Sequence, residues 1–63
     1  MNFSKQNILI VEDDLETLEI MVEIFESIFF KVFSATDGYE AIQSFEKNKI
    51  DVILCYVNIP RIN

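Results

Sequence analysis

Four consecutive apolar residues, Ile8-Leu9-Ile10-Val11, stand between polar Gln6-Asn7 and acidic Glu12-Asp13-Asp14. A run this short, without alternation and rich in β-branching, reads as a strand buried on both faces, the kind a parallel sheet requires. From Leu15 the period changes. Leu15, Leu18, Val22, Phe25 and Phe29 recur at intervals of three and four, with Glu16, Glu19, Glu23 and Glu26 between them. That spacing predicts an amphipathic helix ending near Phe29 or Phe30. Asp14 sits where its N-cap belongs, and a carboxylate there suits the positive end of the helix.

The segment Lys31–Ala35 reads as a short second strand with Val32 and Phe33 as its apolar pair, and Thr36-Asp37-Gly38 supplies turn chemistry. Asp37, three residues before Glu40, has the logic of a capping box for a second helix over roughly residues 39–47. Ala41, Ile42 and Phe45 would form its buried stripe. Asn48-Lys49 ends it, residues 50–57 give a third, mostly apolar strand, and Asn58-Ile59-Pro60 stops that strand because proline donates nothing to a ladder. The order βαβαβ predicts an α/β fold with a three-stranded parallel sheet. In a flavodoxin-like winding the strand order is 2-1-3, with the helices on opposite faces. The switch point then lies between the first and third strands, whose carboxyl ends carry Glu12-Asp13 and Tyr56.

Composition narrows the functions. Sixty-three residues make one small domain, 1–63, of marginal stability. One cysteine and no histidine exclude an internal disulfide, a His-based triad and a four-ligand zinc site. A single glycine cannot build a dinucleotide or phosphate loop. A net charge of −6 disfavours nucleic acid and anionic membrane as partners. The apolar runs are too short to span a bilayer, and no secretory leader pattern opens the chain. A lone thiol in an acidic chain fits the cytoplasm.

The run Ile10-Val11-Glu12-Asp13-Asp14, the segment Ala35-Thr36-Asp37-Gly38 with Glu40-Ala41, and Asp51-Val52-Ile53-Leu54 followed by Asn58-Ile59-Pro60 stand in order. Together they resemble the N-terminal half of the receiver (CheY-like) domains of bacterial two-component response regulators. The resemblance implies a truncated receiver with three of five strand-helix strands present. It implies Mg²⁺ held by Glu12, Asp13 and the backbone carbonyl of Asn58. It also implies that Tyr56 stands where the family has its phosphoacceptor aspartate, four residues before the proline. A phenol is uncharged at neutral pH and a poor ligand for a hard cation, so any Mg²⁺ is expected to be weakly held. Nor can a phenol form an acyl phosphate, so phosphorylation in the manner of the family is not expected. The family's switch Ser/Thr and its lysine lie on later strands.

Each feature also has a plainer reading. Glu12-Asp13-Asp14 reads equally as a polar strand end entering a capped helix, and Tyr56 as a ring packed at the sheet edge with its hydroxyl wet. Cys55 alternates away from Tyr56 and is expected to be a small buried apolar residue without redox function. Asp51 lies at the wrong end of the sheet to replace the acceptor. The apolar arc through Met21, Ile24, Phe25, Ile28, Phe29 and Phe30 is broader than one sheet face needs. The third strand, with Ile53 and Cys55, would offer an unpaired edge. Both features point to a homo-oligomer, joined through the third-strand edge or the first-helix arc. The expected function is non-enzymatic: a phosphorylation-independent contact or dimerisation unit among two-component signalling proteins. The alternatives are a phosphoacceptor completed by a second chain, or a fragment without independent function.

Overall fold

The computed structural model describes residues 2–56. Strand β1 (Asn7–Val11) leads into helix α1 (Leu15–Glu26), strand β2 (Lys31–Ala35), helix α2 (Gly38–Lys47) and strand β3 (Val52–Cys55). The sheet runs β2-β1-β3 and is parallel throughout, with Val11 opposite Ala35 on one side and Cys55 on the other. This is the expected βαβαβ arrangement of a flavodoxin-like winding, in the strand order 2-1-3.

The apolar run of β1 is the spine of the molecule. Side chains alternate across a strand, so Ile8 and Ile10 face one way, against Leu18 and Phe29, while Leu9 and Val11 face the other, with Ala35 and Ala41. Helices α1 and α2 therefore lie on opposite faces. At the sheet's amino end the Asn7 N–H donates to the Asp51 carboxylate (2.8 Å) and its side-chain amide to the Lys49 carbonyl (2.8 Å), tying the start of β1 to the approach to β3. Asp51 is thus at the opposite end of β3 from Tyr56.

Helix α1 ends three to four residues earlier than its apolar period suggests. The N–H groups of Ile28 and Phe29 both donate to the Phe25 carbonyl, at 3.0 and 2.9 Å, and the Ser27 hydroxyl caps the Ile24 carbonyl. The chain tightens into a turn that still returns Phe29 to the core, its ring stacked on Phe3 at 4.9 Å. Leu18 is the buried residue of α1, and Leu15, expected in the buried stripe, is exposed. Met21 packs against the core cluster, so the part of the expected arc that faces outward is Ile24, Ile28 and Phe30, joined by Ile20.

Three further expectations need correction. Ile42 and Phe45 do not form a buried stripe, because α2 lies over β1 and β2 and the side bearing these two residues overhangs β3, which neither helix covers. Cys55 is exposed rather than buried, for the same reason. Strand β3 is Val52–Cys55, so it starts two residues later than the 50–57 expected, and Val57 lies outside the described residues. Asn58 and the Asn58-Ile59-Pro60 stop lie outside the described residues.

Candidate functional site at the carboxyl edge of the sheet

The parallel ladder delivers the acids and Tyr56 to one edge. The Glu12 N–H donates to the Ala35 carbonyl (3.0 Å) and the Tyr56 N–H to the Val11 carbonyl (2.8 Å), so the ladder extends one residue past β1 on each side. With Val11 paired to Cys55, Glu12 and Tyr56 follow directly on adjacent strands. Glu12 is buried at 4% exposure, while Asp13 and Tyr56 are exposed.

A buried carboxylate needs a donor, and Glu12 has one: its Oε2 accepts the Asp14 N–H at 2.8 Å. Nothing in the sequence pattern signals this bond, which locks the β1–α1 loop. Asp14 in turn caps α1, accepting from the Thr17 N–H at 3.0 Å and from the Thr17 hydroxyl. The hydroxyl bond first, then the backbone bond, hold the Asp14 carboxyl below its ordinary range. Asp14 is therefore committed to the helix.

The β2–α2 loop borders the same edge. Glu40 N–H donates to Asp37 Oδ1 (2.8 Å), as a capping box requires. The return bond goes one residue further back: Glu40 Oε1 accepts both the Thr36 N–H and the Thr36 hydroxyl, each at 2.7 Å. Asp14, Asp37, Glu40 and one oxygen of Glu12 thus accept from backbone, leaving the other oxygen of Glu12 and the carboxylate of Asp13 as oxygen ligands at the edge that Tyr56 shares. Among the described residues no three Asp, Glu, His or Cys side chains converge as a metal cluster. Two carboxylates suit a hard cation that keeps most of its water. Also among the described residues, no helix is long and apolar enough to cross a membrane.

Residues 8–63 match the family model described as the response regulator receiver domain. The protein named aerobic respiration control protein ArcA, in Escherichia coli strain K12 and in Escherichia coli O157:H7, is 41% identical over 54 residues. That alignment takes in 86% of this chain and 23% of the relative, so the chain spans about a quarter of the length of the curated proteins it matches. No solved structure gives a significant match.

Proposed function

The chain belongs to the response regulator receiver family, and on that premise we propose that it serves phosphorelay signalling as a contact module that does not itself take up phosphate. Receiver domains are signalling modules rather than enzymes, and their phosphorylation site binds Mg²⁺. The observation that supports the proposal is the residue type at the carboxyl edge, where the ladder brings Tyr56 to the same end of the sheet as Glu12 and Asp13 and no third carboxylate joins that pair among the described residues.

The chemistry of phosphate uptake supports the same reading. An acceptor in this family is a carboxylate that attacks while a cation and a positive side chain neutralise the developing charge. Tyr56 supplies no such nucleophile and no anionic ligand. Glu12 and Asp13, with the Asn58 carbonyl, would hold Mg²⁺ weakly, and the ion would supply charge neutralisation alone. Function then rests on protein contacts, with Ile24 and Ile28 on α1 and Ile53 and Cys55 on β3 as exposed candidates for meeting a second copy or another two-component protein.

The test is direct. The chain incubated with acetyl phosphate and Mg²⁺ and weighed intact should show no phosphate adduct. Stoichiometric labelling, mapped to any residue, defeats the proposal.

A further inference from the structure

Glu12 is the one charged residue that is buried among the described residues. Its Oε2 accepts the Asp14 N–H at 2.8 Å. No lysine among the described residues stands at this edge: Lys5 precedes β1, Lys31 opens β2, Lys47 ends α2 and Lys49 precedes β3, all toward the amino end of the sheet. A carboxylate buried without a cationic neighbour costs stability. What the position gains is control of the loop between β1 and α1.

That loop is anchored at both ends. The Glu12 N–H donates to the Ala35 carbonyl (3.0 Å), while the Asp14 carbonyl accepts the Leu18 N–H (2.9 Å) and the Asp14 carboxylate accepts the Thr17 N–H (3.0 Å). The Glu12 side chain closes the span between them, so Asp13 offers its exposed carboxylate from a backbone held on either side. We infer that Glu12 is a positioning residue that couples the cation site to the start of α1. One of its oxygens closes the loop on Asp14, and the closed loop is the form in which Asp13 and the other Glu12 oxygen meet a divalent cation. The inference rests on the reading of this edge as a weak Mg²⁺ site and is independent of what Tyr56 can accept.

Coupling of this kind is reciprocal. If the closed loop binds the ion better than the open one, the ion must hold the loop closed by the same factor. A Glu12 that served the ion by charge alone would leave the two loop states equal in affinity, and the Asp14 N–H would not respond to the ion. Two substitutions separate charge from reach. Glu12→Gln keeps a carbonyl oxygen for the Asp14 N–H and removes the charge, whereas Glu12→Ala removes both.

Amide exchange of the Asp14 N–H, followed by NMR on the 63-residue chain with and without Mg²⁺, tests the coupling. Mg²⁺ at about 10 mM should shift the Asp13 amide signal and slow Asp14 exchange in the native chain by about fivefold or more. The Asp51 N–H, which donates to the Asn7 carbonyl at the far end of the sheet, should not respond. Without the ion, Glu12→Ala should speed Asp14 exchange by about tenfold, and Glu12→Gln should stay within about threefold of the native chain. Glu12→Ala should also abolish the response of Asp14 to Mg²⁺. Should that variant unfold, the native response and the glutamine variant carry the test. The inference is overturned if Mg²⁺ shifts Asp13 and leaves Asp14 exchange unchanged, if Mg²⁺ does not reach Asp13 at all, or if the glutamine variant exchanges as fast as the alanine one. The two proposals fail separately: a phosphate adduct defeats only the reading of Tyr56, and an ion that binds without slowing Asp14 exchange defeats only the coupling.

Discussion

Tyr56 brings a ring and a hydroxyl to an edge otherwise made of Glu12 and Asp13, and the consequence is set by ligand charge. Hard cations are held by the number of oxyanions that converge on them. Tyr56→Asp should therefore tighten Mg²⁺ binding by roughly tenfold or more in titration calorimetry at pH 7, with little phosphate uptake unless the family's lysine is also supplied. If the substitution leaves Mg²⁺ affinity unchanged, Tyr56 does not limit the site. Asp14 gives a second test, with a definite sign. Its carboxyl titrates lower folded than unfolded because the Thr17 hydroxyl and N–H favour the charged form. The contribution to stability is thus complete above the unfolded value and disappears as pH falls through the folded one. Thr17→Ala, which keeps the backbone bond, should raise the Asp14 titration midpoint in a carboxyl NMR series. It should also flatten the acid limb of thermal stability. An Asp14 midpoint that does not move would show that the hydroxyl bond plays no part.

Hydrophobic period placed every element, and the errors fall where periodicity carries no information. Ile8-Leu9-Ile10-Val11 reads as a two-sided strand because both faces are in fact covered. The stripe Leu18, Val22, Phe25 and Phe29 identified α1, yet its end depends on which carbonyl the Ile28 and Phe29 N–H groups choose, a matter of turn geometry. For α2 the apolar residues were legible and their environment was not, since Ile42 and Phe45 have the spacing of a core stripe and border a strand that neither α1 nor α2 covers. Sequence reports that a residue is apolar, and only the lateral offset of a helix over its sheet decides what it meets. Tyr56 and the acid pair were legible as neighbours because the strand order follows from chain order. The Glu12–Asp14 bond was not, because a side-chain-to-backbone bond two residues apart leaves no pattern. The Asp37–Glu40 box was read correctly in its first half only. Asp37→Ala removes the acceptor for the Glu40 N–H and should cost about 1 kcal/mol in urea denaturation. Glu40→Ala, which frees Thr36, should cost a similar amount, and the double variant less than the sum because the two bonds share one loop.

For the whole molecule the deciding quantity is how little core the sheet has. Stability of roughly 0.05–0.15 kcal/mol per residue gives roughly 3–9 kcal/mol for a chain of this length. Leu18 is the buried anchor of α1, and Leu18→Ala should cost about 2–5 kcal/mol, a large share of that total. Urea denaturation of the native chain and the variant reads the loss, and a midpoint that does not move would show that Leu18 does not anchor the helix.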